Sequence, residues 1–293
     1  MLKQVEVVST NVPRVSFEFF PPKTQEAELS LWKTVERLAP LKPRFVSVTY
    51  GADGSTRERT HRVIQRISAE TDLNPVPHLT CVGATREEVD SLADGYWSAG
   101  IRKLVALRGD PQGGAGVTYV PHRGGYAYGS DLVEGLMEKH PFELIVGAYP
   151  ETHPEAISEE ADLESLRRKV DAGAKCAITQ FFFDDSVFLK FRDRVAAAGI
   201  EVELIPGILP VTNYKTLVRF AESCGVSLPS SLTNLFCGLD GDVTTRQHIA
   251  AHLAVSQVEA LSREGVRDFH FYTLNRAELS FTVCHAIGVR GAT

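Results

Sequence analysis

The sequence lacks the features of secreted and membrane-spanning proteins. No apolar run approaches the ~20 residues that a transmembrane helix needs. Residues 1–14, MLKQVEVVSTNVPR, alternate polar and apolar residues without the apolar segment of a signal peptide. The net charge of −6 and the pI of about 5.9 argue against a nucleic-acid-binding surface. We therefore expect a cytoplasmic protein that binds neither nucleic acid nor membranes.

Disulfide and metal patterns are also missing. The 5 cysteines are odd in number and form no CxxC pair, and Cys81 and Cys176 lie in apolar runs typical of strands. Buried free thiols in a reducing compartment are the expected state. His248 and His252 have the spacing of a zinc-binding helix, but the glutamate of that motif is absent. We predict no metal site.

Short apolar runs alternate with amphipathic stretches along the 293 residues, without a Pro- or Ser-rich linker. Such alternation predicts a parallel sheet. The eight predicted strands are Arg14–Phe19, Phe45–Thr49, Val76–Cys81, Lys103–Leu107, Glu143–Ala148, Cys176–Thr179, Glu203–Gly207 and Asp268–Tyr272. Eight repeats favour one (β/α)8 TIM barrel over residues 1–293, with extra helices in the long connection between strands 7 and 8. The alternative is an open doubly wound sheet, but no GxGxxG follows the first strand.

Polar side chains follow almost every predicted strand, where a barrel carries its active site. Solvated loops account for some of them, but the set is rich in groups that do chemistry. Its members are Glu18, Thr49, His78, Arg108, Asp110, Tyr149, His153, Gln180 and Arg276.

Strand 1 and the residue after it place one carboxylate among three phenylalanines. Its alternation directs Val15, Phe17 and Phe19 to the helices, and Ser16 and Glu18 to the barrel axis. Apolar surroundings favour the neutral form of a carboxyl group, which can then act as a general acid. A glutamate paired with Arg or Lys inside the barrel is the equal alternative on spacing alone.

The glycine-rich segment 111–129 and a basic helix are candidate phosphate-binding elements. The loop has the composition of a phosphate cradle or a mobile lid, and a solvated loop is the simpler interpretation. The predicted helix Asp162–Ala172 carries Arg167, Arg168 and Lys169, which are either a solvated face or a pyrophosphate site.

Eight motifs, in order and spanning about residues 15–289, resemble the methylenetetrahydrofolate reductase family in its bacterial single-domain form. They are VSFEFFPPKT, FVSVTYGA, HLTC, LRGD, AYPE with HPEA, ITQFFFD, IPGILP and DFHFYTLNRAE. The resemblance implies one FAD-binding catalytic barrel without a C-terminal regulatory domain. It also implies a flavoprotein oxidoreductase acting on CH–NH donors.

The implied reaction reduces 5,10-methylenetetrahydrofolate to 5-methyltetrahydrofolate for methionine synthesis. NAD(P)H first reduces the FAD, and the folate then binds at the same flavin face in a ping-pong scheme. Single-domain bacterial relatives favour NADH, so we expect NADH. The family also implies a homodimer or homotetramer.

Family roles transfer to individual positions of this sequence. Glu18 matches the general acid that helps to open the substrate's five-membered ring, and Asp110 matches a carboxylate near both flavin and pterin. Gln180, Phe220 and Arg276 match substrate contacts. The implied FAD contacts are Thr49, His78, Arg108, Gly109, Asp110, Tyr128, Gly129, Tyr149, His153, Ala156, Asp162, Ser165, Arg168 and Lys169.

The chain also departs from the enteric form of the family at several positions. The loop 111–128 is longer, Thr216 replaces a glutamine near the folate, and Ser165 replaces an asparagine near the flavin. Water can replace such lost side-chain contacts.

Two other functions compete with the flavin reductase. A Schiff-base lyase needs a lysine at a strand end, and none is present. A catalytically inactive binding barrel would be marked by loss of Glu18, Asp110 or Gln180, and the sequence retains all three.

Overall fold

The computed structural model describes residues 12–50, 57–111, 113, 117–211 and 213–291. Eight parallel strands close into a barrel in which each strand pairs with the next and the last pairs with the first. The predicted (β/α)8 fold is confirmed. The strands are β1 (Arg14–Phe19), β2 (Val46–Val48), β3 (Pro75–Thr80), β4 (Lys103–Leu107), β5 (Glu143–Ala148), β6 (Cys176–Phe181), β7 (Glu203–Ile208) and β8 (Asp268–Tyr272).

A helix follows each strand on the outside of the barrel, and the predicted extra helices lie between β7 and β8. The helices are α1 (Gln25–Leu38), α2 (Arg57–Glu70), α3 (Arg86–Ser98), α4 (Gly129–Lys139), α5 (Glu159–Asp171), α6 (Asp185–Ala197), α7 (Tyr214–Cys224), α8 (Ser230–Phe236), α9 (Val243–Arg263) and α10 (Ala277–Ala286). None of the helices within the described ranges is both long and apolar enough to span a bilayer.

Side-chain caps fix where several helices begin. Thr24, Thr85 and Ser158 each accept a hydrogen bond from a backbone N–H in the first turn of α1, α3 and α5. The glycines after α3 and α5, Gly100 and Gly173, have φ values of 85° and 125°, which end the helix in the left-handed region.

Two strand boundaries differ from the prediction in a way that matters for the site. β6 continues to Phe181, so Gln180 lies inside the strand instead of after it. β2 is shorter than predicted and ends at Val48, which leaves Thr49 in the connection. Gly51, predicted to follow strand 2, and residues 112 and 114–116 of the glycine-rich loop lie outside the described residues.

The core has two layers, separated by the strands. Phe17 and Phe271 pack outward against the helices, and both are fully buried. An inner layer fills the barrel and contains Phe45, Val105 and Ile205. Alternation of side chains along each strand produces this division.

Charged residues close the barrel at the amino ends of its strands. Arg44 donates hydrogen bonds to Glu203, at 2.8 Å from Nη2 to Oε2, and to Asp268, at 3.2 Å. Arg14 pairs with Asp268 as well. The network joins β1, β2, β7 and β8, far from the opposite rim, where active sites of barrel enzymes lie.

Candidate active site

The inward face of β1 carries Ser16 and Glu18, as the alternation predicted, while Phe17 and Phe19 are buried against the helices. Glu18 is 8% exposed. Its carboxylate is close to two imidazoles: Oε2 lies 3.6 Å from Nε2 of His78 and 3.7 Å from Nε2 of His270. Within the described ranges, no Lys or Arg nitrogen lies within 4.0 Å of this carboxylate. The structure therefore gives no support to the alternative of a Glu–Arg or Glu–Lys pair.

His78 is the neutral partner of this group. Burial lowers its pKa to about 4, although the Glu18 charge acts in the opposite direction. Its Nε2 is buried and has no hydrogen-bond partner among the described residues. A polar atom left in this state inside a barrel mouth is a candidate contact for a bound ligand.

His270 is the other imidazole beside Glu18, and the sequence analysis did not identify it. It is fully buried, its Nδ1 lies 2.8 Å from the Oγ atom of Ser16, and its ring stacks on Phe45 at 5.6 Å. Alternation in β8 places Asp268, His270 and Tyr272 on the inward face. The strand pattern that located Glu18 could therefore have located His270.

A register shift in β6 places Gln180. Ile178 pairs with Ile205 but Phe181 pairs with Gly207, so β6 has one residue more than β7 here. Such a bulge redirects side chains. Gln180 comes within hydrogen-bonding reach of Tyr149, a residue whose pKa is raised to about 12, mainly by burial.

Gly207 allows β7 to approach this bulge. A Cβ atom at this position would lie 2.2 Å from the carbonyl oxygen of Thr179 and 2.6 Å from the ring of Tyr272. The Tyr272 hydroxyl donates a hydrogen bond to that same carbonyl at 2.7 Å. Only glycine fits between these groups.

The three remaining predicted substrate contacts lie at the rim of the barrel. Asp110 and Arg276 are exposed, and Phe220, at the surface of α7, is 42% exposed. The ring of Phe220 stacks on Phe181 with centroids 5.2 Å apart. Burial raises the pKa of Tyr149, and the charges of Cys224 and Asp110 act in the same direction.

The exit of β8 is held to the exit of β1 by a strained segment. Leu274 and Asn275 have φ values of 50° and 54°, a region that residues other than glycine rarely occupy. The Asn275 side chain accepts a hydrogen bond from the Phe20 amide at 2.9 Å and donates one to its carbonyl at 2.8 Å. Strain of this kind persists where surrounding contacts fix the backbone, and it is frequent at functional sites.

A cationic cluster lies beside the ends of β4 and β5. Lys169 donates to the carbonyl of Gly147 at 2.9 Å, and its pKa is lowered, mainly by burial. A Cβ atom on Gly129, at the start of α4, would lie 3.7 Å from the Arg108 amide and 3.9 Å from the Lys169 side chain. The α4 N-terminus, the Arg108 backbone amide and the Lys169 side chain therefore meet at one place, and the Arg108 charge adds to the lowering of the Lys169 pKa, an arrangement that suits a pyrophosphate.

His153 and Asp162 border this cluster. Asp162 accepts a hydrogen bond from the His153 amide at 2.9 Å, and His153 Nδ1 accepts one from the Glu155 amide at 3.0 Å. The Arg108 guanidinium donates to Glu155, 3.0 Å from Nη2 to Oε1. Glu155 therefore keeps Arg108 in place. It was not among the site residues predicted from the sequence.

Other predicted FAD contacts are less tightly enclosed. Tyr128 is 55% exposed, with its ring 6.0 Å from that of Tyr119. Arg168 is exposed on α5 and donates to Glu164 at 3.5 Å. The remaining predicted contacts, Thr49, Gly109, Ala156 and Ser165, lie in the connections after β2, β4 and β5 and on α5.

The described residues fit a flavin dinucleotide. The cationic cluster of Arg108, Lys169 and the α4 N-terminus suits its pyrophosphate. The orphaned Nε2 of His78 and the buried Oγ1 of Thr80, which also has no hydrogen-bond partner, supply polar contacts at the barrel mouth.

The family model and the bacterial relatives match this chain over nearly its whole length. A family model described as methylenetetrahydrofolate reductase matches residues 3–288. A 5,10-methylenetetrahydrofolate reductase of Salmonella typhimurium is 55% identical over 276 residues, which cover 94% of this chain and 91% of that relative. The corresponding protein of Escherichia coli is 54% identical, with the same coverage.

The chain is also similar to more distant proteins. Methylenetetrahydrofolate reductase (NADH) 1 of Zea mays is 34% identical over 299 residues, which cover 98% of this chain and 50% of the maize protein. A solved structure from Clostridium thermocellum has a TM-score of 0.61 at 16% identity, covering 95% of this chain and 96% of that one. The last similarity supports the fold alone. The family match and the bacterial relatives show that the chain is an enzyme of the methylenetetrahydrofolate reductase family.

Proposed function

We propose that this enzyme uses FAD and NAD(P)H to reduce 5,10-methylenetetrahydrofolate to 5-methyltetrahydrofolate for methionine synthesis. The observation that carries the proposal is the buried Glu18 carboxyl group, enclosed by His78 and His270 at the mouth of the barrel. A proton donor in a water-poor pocket is what the folate half of the reaction requires. The relatives named for the same reaction support it.

Arg108, Lys169 and the N-terminus of α4 would hold the FAD pyrophosphate. Asp162 fixes the backbone of His153 beside them. Thr49, His78, Gly109, Asp110, Tyr149 and Ala156 would contact the flavin half of the cofactor or its linker, and Tyr128, Gly129, Ser165 and Arg168 the nucleotide half. Bound FAD would supply two-electron hydride transfer.

Glu18 would donate a proton to the folate nitrogen that leaves the methylene carbon when the five-membered ring opens. Proton donation at that nitrogen makes the C–N bond easier to break and leaves an electrophilic iminium carbon. Ser16 fixes the His270 ring through the 2.8 Å contact, and His270 in turn borders the Glu18 carboxylate. Ser16 and His270 are positioning residues in this scheme.

The folate would lie across the rim between β4, β6 and β8. Asp110 and Gln180 offer hydrogen-bond partners for the pterin, Phe220 offers an aromatic face, and Arg276 offers a cation for the glutamate carboxylate. The Clostridium thermocellum protein with the same fold binds two copies of 5-methyl-5,6,7,8-tetrahydrofolic acid.

NADH is the proposed reductant, in a ping-pong sequence in which the nucleotide leaves before the folate binds. The maize relative is named for NADH. We also propose that residues 1–293 act as one catalytic domain in a homodimer or homotetramer, which sedimentation analysis tests directly.

Anaerobic stopped-flow spectroscopy tests the function. The purified protein should be yellow, NADH should bleach its flavin band without folate, and methylenetetrahydrofolate should then restore the band. The same experiment with NADPH measures the nucleotide preference. A colourless protein that takes up no FAD, or a reduced flavin that the folate does not reoxidise, would overturn the proposal.

A further inference from the structure

A cavity of about 440 Å³ lies between α1 and α2, at the end of the barrel where β1 and β2 terminate. Its volume is within the range of small-molecule sites. The floor is apolar and includes the buried Leu31 and Val63 together with Trp32. Four basic side chains and one carboxylate surround the floor: Lys23, Arg59, Arg62, Arg66 and Glu28.

Three of these four cations have no counter-ion within the described ranges. The Arg66 guanidinium is ion-paired with Glu28 at 3.4 Å and with Glu70 at 3.1 Å. It also lies 3.8 Å above the centre of the Trp32 ring. Lys23, Arg59 and Arg62 make no ion pair with any described residue, and the buried Nε of Arg59 has no hydrogen-bond partner among them. Among the described residues, the cavity thus has an excess of unpaired positive charge around an apolar floor.

A helix N-terminus adds to this positive potential. Thr24, the N-cap residue of α1, and Gln25, its first residue, both line the cavity. The α1 helix is 14 residues long and its N-terminus has a partial positive charge, which Glu26 and Glu28 of the first turn partly offset. An anion in this cavity would face the α1 N-terminus and the cations of α2 together.

The cavity lies on the β1 side of the barrel, and the proposed pyrophosphate cluster lies on the opposite side. Pro22, which lines it, is four residues after Glu18, a separation of at most about 14 Å along the chain. The exit of β1 is tied to the exit of β8 through Phe20 and Asn275, beside Arg276. The pyrophosphate cluster follows β4 and β5, and β5 is four strands from β1 in the eight-stranded barrel.

We propose that the cavity between α1 and α2 binds the γ-linked glutamate tail of the folate substrate beyond its first glutamate. This inference rests on the proposed function, since it requires the folate pterin to lie at Glu18. Each added glutamate carries one carboxylate, and Lys23, Arg59 and Arg62 offer separate partners for successive carboxylates. Arginine binds a carboxylate through two parallel hydrogen bonds, which suits such a chain.

The test compares 5-methyltetrahydrofolate carrying one glutamate with the same compound carrying five. Dissociation constants are measured by calorimetry on the FAD-loaded enzyme. We expect the pentaglutamate to bind about tenfold more tightly, because each exposed ion pair contributes a factor of about 2 to 5. The ratio of the Kd of the monoglutamate to the Kd of the pentaglutamate should fall to about twofold in R59Q/R62Q. In R59K/R62K, which keeps both positive charges, most of the tenfold preference should remain.

A matched control removes two positive charges elsewhere. K190Q/R263Q changes exposed residues of α6 and α9 outside the cavity and should keep the wild-type ratio. An equal ratio in wild type and R59Q/R62Q would overturn the proposal. So would a rise in the Kd for NADH or NADPH in R59Q/R62Q with the folate ratio unchanged, since the cavity would then belong to the nucleotide.

The two proposals fail in different ways. Flavin reduction by NADH and reoxidation by the monoglutamate substrate are recorded on the same wild-type preparation. If both half-reactions occur and the number of glutamates on the folate has no effect on its Kd, only the assignment of the cavity is wrong. If the folate never reoxidises the flavin, the proposed function is wrong. The assignment of the cavity between α1 and α2 to the glutamate tail is then wrong as well.

Discussion

Nε2 of His78 lies 3.6 Å from Oε2 of Glu18 in the barrel interior. Burial lowers the pKa of His78 to about 4, so the ring is neutral at physiological pH. The carboxyl group of Glu18 therefore has an uncharged neighbour where a salt bridge would require a cation. A buried carboxyl group with no Lys or Arg nitrogen of the described residues within 4.0 Å is a candidate proton donor to a substrate.

Glu18→Gln should separate the two halves of the reaction. The amide keeps the size of the side chain but has no acidic proton, so NADH should still reduce the flavin at a rate close to that of the wild type. Reoxidation by methylenetetrahydrofolate should slow by at least about a hundredfold, the usual contribution of a general acid. Stopped-flow spectroscopy at the flavin absorption band measures both steps on one sample.

The control for this variant is Glu36→Gln, an exposed carboxylate on α1. It should leave both half-reactions unchanged. If Glu18→Gln reoxidised as fast as the wild type, Glu18 would not be the acid. If both half-reactions slowed equally, the substitution would have disturbed flavin binding instead.

His78 should make the folded state less stable in mild acid. Its pKa is near 4 when folded, against an ordinary value of 6.5, so the unfolded state binds one more proton between these pH values. The unfolding free energy should therefore fall by up to about 3 kcal/mol as the pH drops from 6.5 to 4. NMR titration of the histidine rings and urea unfolding at several pH values measure the two quantities.

His78→Gln supplies the comparison. Because glutamine does not titrate, the variant should lose this part of the pH dependence, and its unfolding free energy should vary less between pH 4 and 6.5. A His78 ring that titrated near 6.5, or identical pH profiles for wild type and variant, would contradict the assignment.

Sequence periodicity was enough to predict the barrel and the direction of Glu18. Strands and helices alternate, and side chains alternate along each strand, so Ser16 and Glu18 had to lie opposite Phe17. The contact between His270 and Ser16 joins residues 254 positions apart. A closed barrel places β8 beside β1, but no local pattern encodes the register that brings these two side chains together. The bulge at Gln180 depends in the same way on the fit of β6 against β7.

Gly207→Ala should disturb the substrate side of the barrel. The new methyl group would lie 2.2 Å from the Thr179 carbonyl oxygen and 2.6 Å from the Tyr272 ring, and neither backbone nor buried ring can move freely. We expect a loss of about 1–3 kcal/mol in unfolding free energy and weaker folate binding, because the bulge that carries Gln180 must shift.

Gly95→Ala is the matched control for this substitution. Gly95 lies in α3, and a Cβ atom there would meet nothing within 4 Å. Alanine in an open helical position should leave stability unchanged or raise it by up to about 1 kcal/mol. Thermal unfolding measures the stability of the two variants, and folate titration measures their affinity for the substrate. Equal stability of both would mean that β7 can move away from Thr179.

Glu203→Gln should weaken the charged network at the opposite end of the barrel in a pH-dependent way. The hydrogen-bonded Arg44 guanidinium holds the pKa of Glu203 below its ordinary value of 4.5. The pair therefore stabilises the folded state above pH 4.5, and this contribution disappears as the pH falls through the lower folded-state pKa. At pH 7 the variant should lose about 1–2 kcal/mol of unfolding free energy, since the pair is only partly screened by solvent.

Glu143→Gln is the control, because Glu143 also pairs with a cation, Lys103, at 2.7 Å but is 69% exposed. The unfolding free energy of Glu143→Gln should be lower than that of the wild type by no more than about 0.5 kcal/mol. Urea unfolding of the three proteins at pH 7 and pH 3.5 measures these differences, and the gap between wild type and Glu203→Gln should narrow at the lower pH. An equal difference in unfolding free energy at the two pH values would contradict the prediction. It would mean that Asp268 alone is the effective ion-pair partner of Arg44 and that Glu203→Gln acts through changed packing.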